Sequence, residues 1–508
     1  MNKRFSKEEC ETVYEKLLSY ASSCLEAGRT DSAYDFLKAS AMWAYRFNWI
    51  YADKRLDDMI RTIGRTWASP FKIISDSETK YLLIDTHGID NRGLTQQYIR
   101  ALIAMNAAFL YVSVYPDINR QKDIRSELAS YSLATTCFID KKMTNRERLN
   151  VIIDCVKSYQ PKVAIAHVFP WDPIPFMLFD LANNMRVYNI NFTDHAFWIG
   201  SSIIDYNIEF RSFGMTISIE KRGLNKEQLI CLPFYPITQL NETFQGFPEL
   251  PQDAIKIFSG GSFYKMMGDD DRYFKLCDKL LNLSSHVVLL IAGSGDISLL
   301  RRKISTMRNA DRVFLIGDRR DIDEVFKHCD IYLNTYPIGG GLMSQYAAKN
   351  GKPILILCRE NDNSRIESCI NHFSNNVKAF IAEDDLLLYA QKCITNKEFR
   401  DKEGAKNKNG LMSAERFNDF FKEIFSGKYN DHFHWDRVKI NYDDVVRLYL
   451  DIENNYTKSA LTKLFYVLRG KSLIIFPRYI VYFLWICIHE VIKRAPSIGN
   501  SLAVLRDK

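Results

Sequence analysis

The sequence lacks the cysteine patterns of a disulfide framework or a structural zinc site. Its 508 residues include 11 cysteines, an odd number, scattered without a C-x-x-C pair or a neighbouring histidine cluster. Such spacing predicts reduced, mostly buried thiols. The first residues also lack the apolar segment of a secretory signal. We therefore expect a cytoplasmic protein without a bound metal, which could also lie peripherally on the inner face of a membrane.

A strong excess of one charge is missing from most of the chain. Lysine and arginine number 68 and aspartate and glutamate 61, so the formal net charge is +7. The stretch from Lys463 to Lys508 holds eight basic and two acidic residues and so carries almost all of that excess. A nucleic-acid groove would need basic residues across the main body of the protein. The charge distribution therefore argues against nucleic acid as a partner.

No hydrophobic run reaches the length of a membrane-spanning helix. The most apolar stretch is broken by Pro477 and Arg478, which leaves Tyr479 to Ile488, whereas a spanning helix needs about 20 residues. Basic flanks, Trp485 and several tyrosines are typical of a helix lying in the plane of an anionic membrane surface. The tail therefore predicts peripheral membrane contact, with a buried or oligomeric helix and a spanning helix as alternatives.

Several catalytic motifs are absent as well. The sequence contains no Walker-type phosphate loop, no nucleophile elbow and no evident pair of carboxylates at glycosidase spacing. His432 and His434 are the nearest approach to a metal pair, but two histidines without further ligands usually lie in an ordinary loop. These absences disfavour P-loop chemistry, α/β-hydrolase chemistry and a metal centre.

What the sequence does contain is a repeated alternation of apolar strands and helices. Residues 1–70 have apolar side chains at helical spacing and predict a helical cap. Residues 71–245 and 246–410 each alternate short strands with helices, the pattern of a parallel sheet with crossover helices, and a proline-rich passage separates them. Residues 411–508 predict crossing helices and the basic, apolar tail. The predicted fold class is α/β, with two Rossmann-like domains facing a cleft where ligands should bind.

The strongest local motif is a glycine-rich turn between a predicted strand and a predicted helix. The strand ends at Asn334, and Gly339, Gly340 and Gly341 lead into a helix near Leu342. Glycines let the backbone approach a ligand, and a helix N-terminus offers free N–H groups to a phosphate. The turn is a candidate pyrophosphate seat, although a strand–helix turn without a ligand is equally consistent with this stretch alone.

The order of residues around this turn resembles the donor-binding segment of GT-B glycosyltransferases. The O-linked N-acetylglucosamine transferases and the family-four sugar-nucleotide transferases share it. The match is close from Asp330 to Pro353 and loose from Lys80 to Leu357. The resemblance implies metal-independent transfer of a sugar from a nucleotide sugar, a UDP-sugar for preference, to a saccharide or lipid-linked acceptor. It implies no cofactor besides the donor substrate.

Two further segments fit the same resemblance on the donor side. The strand and loop from Ile257 to Met266 include Gly261, Ser262 and Lys265, and the family places a lysine there that neutralises the leaving diphosphate. A surface lysine after a turn is the alternative interpretation of Lys265.

The nucleoside pocket should form at two later strand ends. The resemblance assigns Gly293 and Gly295 to one turn and the backbone of Ile316 to base recognition. It also places Gln345 where the compared enzymes carry a ribose-binding carboxylate. An amide is a weaker acceptor than a carboxylate, so this departure questions donor affinity.

Histidines at the strand ends of the first domain are the candidate catalytic residues. His167 and the Asp194–His195 pair follow predicted strands and should face the cleft, and His87 lies in the first strand–helix loop. Transfer to a hydroxyl needs a base or a hydrogen-bonding partner for the donor sugar, which a histidine can provide. Each could equally have only a structural role.

The sequence therefore predicts a glycosyltransferase with Lys265 and the glycine-rich turn on the donor side. Two alternatives remain open. A non-hydrolysing sugar-nucleotide epimerase would use the same two-domain architecture. A catalytically degenerate scaffold would be consistent with Gln345 in place of a carboxylate.

Overall fold

The computed structural model describes residues 4–74, 79–91, 94–237, 242–360, 365–426 and 432–494, with only the backbone of residues 489–494. Three helices open the described chain: α1 (Lys7–Glu26), α2 (Thr30–Phe47) and α3 (Lys54–Trp67). Ser6 and Glu9 start α1 with a reciprocal capping box, and Asp53 caps α3. The helices share one hydrophobic core with the sheet that follows. They are therefore integral to the first half of the molecule.

The first sheet has seven parallel strands in the order β4-β3-β2-β5-β7-β8-β9. The elements of this half are β1 (Phe71–Lys72), β2 (Tyr81–Asp85), α4 (Thr95–Ala104), β3 (Phe109–Ser113), α5 (Lys122–Ala129), β4 (Ala134–Phe138), α6 (Asn145–Tyr159), β5 (Val163–His167), α7 (Pro173–Leu181), β6 (Ala182–Asn183), β7 (Arg186–Ile190), β8 (Tyr206–Glu209), α8 (Ser212–Lys221) and β9 (Leu229–Cys231). Short β1 and β6 pair with each other. The central strands β2, β3 and β5 are buried along their whole length, as a sheet covered on both faces requires.

The second sheet has five parallel strands in the order β12-β11-β10-β13-β14. Its half of the chain contains β10 (Ile255–Ser262), α9 (Arg272–Asn282), β11 (Val287–Ser294), α10 (Ile297–Ile304), β12 (Val313–Gly317), α11 (Ile322–Lys327), β13 (Ile331–Leu333), α12 (Gly341–Lys349), β14 (Ile354–Leu355), α13 (Glu383–Thr395) and α14 (Lys397–Asn409). Separate hydrophobic clusters cover its two faces. The strand order matches that of the first sheet at its centre, so each half is a doubly wound Rossmann-like unit.

The C-terminal helices return to the first half. They are α15 (Ala414–Ser426), α16 (Tyr442–Asn454), α17 (Thr457–Leu468), α18 (Ser472–Ile475) and α19 (Ile480–Arg494). Aromatic side chains of α15 pack on the first sheet, where Phe425 contacts Tyr81 and Tyr188. Helix α16 packs instead against Ile338, next to the glycine-rich turn of the second half. The chain thus crosses back and ties the two halves together.

Within the described residues, no single helix is both long and apolar enough to cross a membrane. One pair, Thr457–Ile475 with Pro477–Ile488, passes the length and composition criteria together but is bent by 113°.

The predicted α/β class with two Rossmann-like units is confirmed. In the first half the sequence predicts strands at 81–84, 109–114, 163–166 and 187–190 and helices near 95–105, 145–159 and 175–183. It therefore missed the short strands β1 and β6, the strands β4, β8 and β9 and the helices α5 and α8. Strand β4 is only half-buried, and its residues Ala134–Phe138 lack the continuous apolar run that marks the central strands. Strands β8 and β9 are four and three residues long, too short for a periodic signal.

Candidate functional site

The two sheets each have a switch point where the strand order reverses. In the first sheet it lies between β2 and β5, and in the second between β10 and β13. His87 follows β2 and His167 ends β5, while Lys265 follows β10 and Gly339 belongs to the loop after β13. Ligands of open α/β sheets bind in the crevice at these carboxyl ends. Topology therefore places the predicted residues at the expected edges.

A cavity of about 1040 Å³ opens between the two halves. The residues that the first half contributes to the lining include His87, Asp90, Arg120, Lys122 and His195. Those of the second half include Ser262, Lys265, Gly293, Arg320 and Leu342, and the helical cap contributes Tyr45. Its volume is in the range of sites that hold drug-sized ligands or larger. The lining carries both acidic and basic groups, and Lys265 lies on the side of the second sheet.

His195 reaches this cavity from the loop after β7 and has an ionised partner. Its Nδ1 lies 3.2 Å from Oδ1 of Asp194, and Arg211 donates to both oxygens of Asp194 at 2.5 and 3.1 Å. Burial would raise the pKa of Asp194, but the charge of Arg211 and hydrogen bonds from His195 and Arg211 hold it far below its usual range. The carboxylate therefore accepts from His195 Nδ1–H, which leaves Nε2 as the acceptor nitrogen.

The imidazole of His195 is kept neutral near neutral pH. Burial lowers its pKa below the ordinary value, and the nearby charges of Lys265 and Arg211 act in the same direction. The hydrogen bond to Asp194 opposes this shift without cancelling it. A neutral imidazole with a fixed tautomer is the form that can accept a proton.

The loop that carries His195 is clamped by distant parts of the chain. Asn48, at the end of α2, donates from Nδ2 to the carbonyl of His195 and accepts at Oδ1 from the backbone N–H of Phe197, both at 2.9 Å. Arg222 of the segment after α8 donates to the carbonyls of Asp194 and Ala196 at 2.9 and 2.7 Å. These buried bonds hold the position of the histidine.

Lys265 is half-buried on the opposite side of the cavity. Its Nζ donates to the carbonyl of Gly339 at 3.4 Å, and its own carbonyl accepts from the backbone N–H of Ile338 at 3.3 Å. Burial and the charge of Arg211, opposed by the attraction of Asp194, together lower the pKa of the ammonium to about 8. Because a bound anion would restore the lost solvation, this site favours a negatively charged ligand.

The helix predicted near Leu342 begins at Gly341, directly beside Lys265. The backbone N–H of Gly340 is already bound to Oδ1 of Asn334 at 2.9 Å, which orients the turn. The first helical residues, Gly341, Leu342 and Met343, are half-buried, and Leu342 and Met343 line the cavity. A helix start with unsatisfied N–H groups next to an ammonium suits a phosphate or diphosphate.

Gln345 occupies a different place from the one the sequence comparison assigned. Its side chain is fully buried outside the cavity lining, and Nε2 donates to the carbonyls of Phe234 and Cys369, both at 2.8 Å. Because both partners are acceptors, the amide nitrogen is required there. Gln345 therefore joins α12 to the segment after β9 and is not among the residues that line the cavity.

The glycines at the ends of β10 and β11 allow the two strands to approach closely. Gly261 and Gly293 are register partners with φ of +139° and +144°. A Cβ on Gly293 would lie 1.8 Å from the carbonyl oxygen of Gly261. Both residues line the cavity. Gly295 packs on Phe263 outside the lining, and Ile316 is half-buried in β12.

His87 and His167 pack edge to face in a layer of rings at the first switch point. His87 lines the cavity and stacks on Phe192, while His167 is fully buried behind these rings. Nδ1 of His167 lies 3.2 Å from Oδ1 of Asp85 and 3.2 Å from Oγ1 of Thr95. His167 therefore supports the layer that His87 presents to the cavity.

The predicted residues divide into two sets. Those that line the cavity are His87, His195, Gly261, Ser262, Lys265, Gly293 and Leu342. Those that lie around it are His167, Asp194, Gly295, Ile316, Gly339, Gly340, Gly341 and Gln345.

Sequence reasoning missed Tyr45, Asn48 and Arg211 at this site. Arg211 follows β8 by two residues, so a search of strand ends would have found it had β8 been recognised. Tyr45 and Asn48 lie at the end of a cap helix, where no local pattern marks them. In the described parts of the chain, no group of His, Cys, Asp or Glu is arranged to hold a metal ion.

Comparison with solved structures identifies the architecture. The structure matches an O-GlcNAc transferase of Thermobaculum terrenum with a TM-score of 0.52 at 12% identity over 85% of both chains. It also matches a glycosyltransferase of Rickettsia africae (TM-score 0.50, 12% identity, 70% of this chain and 99% of that chain). Anabaena HepE, solved with UDP and glucose, gives a TM-score of 0.50 at 11% identity over 69% of this chain and all of its own. No family model and no curated protein matches the sequence.

The chain has a GT-B fold. The predicted resemblance is thereby confirmed at the level of architecture. Within this GT-B fold, the cavity lies between the two Rossmann-like units, with His195 on the N-terminal side and Lys265 on the C-terminal side.

Proposed function

We propose that this GT-B protein is a glycosyltransferase. It moves a sugar from a nucleotide sugar, a UDP-sugar, bound on the second sheet to a hydroxyl of a saccharide or lipid-linked acceptor bound on the first. The proposal rests on one observation: a half-buried ammonium beside a helix start and a neutral histidine with an ionised partner line the same cavity. Sugar transfer needs both groups, one for the leaving group and one for the nucleophile.

The donor diphosphate would be held by fixed charges of the protein. Lys265 supplies an ammonium, and the first turn of α12 supplies N–H groups and the positive end of the helix dipole. Negative charge grows on the diphosphate as its bond to the sugar breaks, and pre-oriented donors stabilise that charge without rearranging. No cofactor besides the donor substrate is needed for this step.

The acceptor hydroxyl would be activated by His195. Its Nε2 takes the hydroxyl proton while the oxygen bonds to the anomeric carbon, and the bond from that carbon to the diphosphate breaks with its electron pair leaving on the diphosphate. Asp194 stays ionised and stabilises the imidazolium that forms, because Arg211 pairs with it. His87 and Phe192 offer flat surfaces for a sugar ring beside this pair.

The structural neighbours support the same assignment. HepE was solved with UDP and glucose, and the Thermobaculum protein is described as an O-GlcNAc transferase. Both names concern sugar transfer or its ligands. At 11 and 12% identity they support the class of reaction alone, and the choice of sugar and acceptor depends on the side chains of this cavity.

The first experiment is thermal stabilisation of the purified protein by a panel of nucleoside diphosphates and UDP-sugars. A ligand at about 100 times its dissociation constant should add about 2.7 kcal/mol to the free energy of unfolding. We expect stabilisation by UDP, and its loss in Lys265→Met. No stabilisation by any nucleotide would contradict the proposed donor site and favour the scaffold alternative.

A second experiment distinguishes the proposed catalytic base, His195, from the donor-binding residues. His195→Asn should lower kcat by about 10²- to 10⁴-fold and leave UDP affinity unchanged, because general-base catalysis contributes this much. Thr193 also lines the cavity and is close by in the loop, so Thr193→Ala is a matched control. Equal turnover of His195→Asn and the unmodified protein would remove His195 from the mechanism.

A further inference from the structure

Helix α19 has two apolar faces, and the protein core covers only one. Phe483 and Ile486 are 1% and 4% exposed and pack into the first hydrophobic core. On the opposite side lies a set of side chains that we call the apolar patch: Ile480, Val481, Leu484, Trp485 and Ile488. Their spacing of one, three and four residues puts them on one side of the helix. Their exposed fractions run from 46% to 76%.

The orientation of the apolar patch is set by packing on the N-terminal helices. Phe476 lies against Trp43 of α2 with ring centroids 5.6 Å apart, and Tyr479 stacks on Phe5 at 6.5 Å. Lys471 also pairs with Asp35 of α2 at 2.8 Å. The inner face of α19 itself packs on α17, where Phe483 stacks on Phe465 with ring centroids 5.2 Å apart. The patch therefore projects from the surface in a fixed direction.

The surroundings of the apolar patch are basic. Residues 457–488 contain five basic residues, Lys458, Lys463, Arg469, Lys471 and Arg478, and no acidic residue. Arg469 and Arg478 are exposed on the segments that precede α19, and Ile474 and Tyr466, 49% and 53% exposed, are further exposed apolar side chains of this region. An exposed apolar surface of large side chains flanked by cations is unusual on a soluble monomer.

We propose that the apolar patch docks on an anionic lipid surface. The patch enters the boundary between headgroups and acyl chains, Trp485 sits at that boundary, and Arg469 and Arg478 contact the lipid phosphates. The helix lies in the membrane plane, since its inner face is part of the protein core. A second copy of the chain is disfavoured as the occupant, because two such surfaces would bring like charges together.

The test uses the full chain and sedimentation with vesicles. Phosphatidylcholine vesicles are compared with mixed phosphatidylglycerol–phosphatidylcholine vesicles. We expect binding to the mixed vesicles, and a loss of at least about tenfold in the double variant Leu484→Glu, Trp485→Glu, since two apolar side chains that would enter the membrane are replaced by charges. Leu388→Glu, in a position 60% exposed on α13, is the matched control and should bind as the unmodified protein does.

The charge contribution is tested separately. Arg469→Gln with Arg478→Gln should weaken binding to the mixed vesicles by about tenfold or more, at about 1 kcal/mol per residue. All variants should keep their UDP affinity and thermal stability, so loss of vesicle binding is distinct from a failure of the donor site. Three results would overturn the proposal: equal vesicle binding by the glutamate variant, equal binding to neutral vesicles, or a lipid-free dimer that the same substitutions dissociate.

Discussion

The lowered pKa of Lys265 predicts an alkaline limit to donor binding. Only the ammonium form neutralises a diphosphate, and burial lowers the pKa of this group to about 8. The charged form of Lys265 therefore dominates below pH 8 and is lost as the pH rises through that value. Donor affinity should therefore fall between pH 7 and pH 9, a range in which an ordinary lysine stays charged.

The size of the change in UDP affinity follows from the pKa of Lys265. With a pKa of about 8, roughly ten in eleven molecules carry the ammonium at pH 7 and roughly one in eleven at pH 9. If only the charged form binds, the dissociation constant for UDP rises about tenfold over this interval. An arginine keeps its charge at both pH values, so Lys265→Arg should show a much flatter dependence.

The assay is titration of UDP at pH 7 and pH 9 into the unmodified protein, Lys265→Arg and Lys265→Met. The ligand titrates identically in all three, so the ratio of dissociation constants isolates the contribution of the lysine. Lys265→Met should bind weakly at both pH values. The reasoning is refuted if Lys265→Arg loses the same tenfold in affinity, because another group would then cause the change.

Further changes test the surroundings of the site. Asn48→Gly removes both hydrogen bonds to the His195 loop but suits the left-handed backbone at φ 49°, so it should lower kcat and cost about 1–3 kcal/mol of stability while UDP affinity stays constant. Gly293→Ala should disrupt the donor unit and abolish UDP binding, because its Cβ would meet a carbonyl oxygen at 1.8 Å. Gln345→Glu should cost about 1–3 kcal/mol and leave UDP affinity no stronger, because a carboxylate would face two backbone carbonyls.

Each of these changes has its own readout. Circular dichroism melting curves measure stability, and UDP titration and initial rates measure binding and turnover. Gly317→Ala is the control for Gly293→Ala, since Gly317 also has positive φ, +77°, but open space around its Cβ position. Tighter UDP binding by Gln345→Glu would show that this residue faces the nucleotide after all. An unchanged kcat in Asn48→Gly would show that the loop needs no support from α2.

The order of elements could be predicted from the sequence because its signals are local. A buried parallel strand such as Val163–His167 is a continuous apolar run, and the helix Asn145–Tyr159 starts with a capping box at Thr144. The glycines before α12 likewise mark a turn wherever they occur. The strand β4 gave no such signal, since it lies at the edge of the sheet and its consecutive residues Thr135 and Thr136 are exposed.

The candidate site could be predicted where its residues lie at a strand end or in the loop that follows it. His87, His195 and Lys265 do so, and all three line the cavity. Gln345 shows that position in the sequence does not by itself predict where a side chain points. Its place in the helix matches the compared enzymes, but its amide donates to two backbone carbonyls. Which way a helical side chain points depends on the segment packed against it, and that segment is far away in sequence.

By itself, then, the sequence determined the two Rossmann-like units and the glycine-rich turn before α12, because strand, helix and turn preferences act between near neighbours. Only the tertiary structure decided which residues complete the site. Asn48 supports His195 across a separation of 147 residues, and Arg211 joins Asp194 to the carbonyl of Arg365 in the other half. Hydrogen bonds of this kind depend on the packing of whole units, which leaves no periodic pattern in the chain.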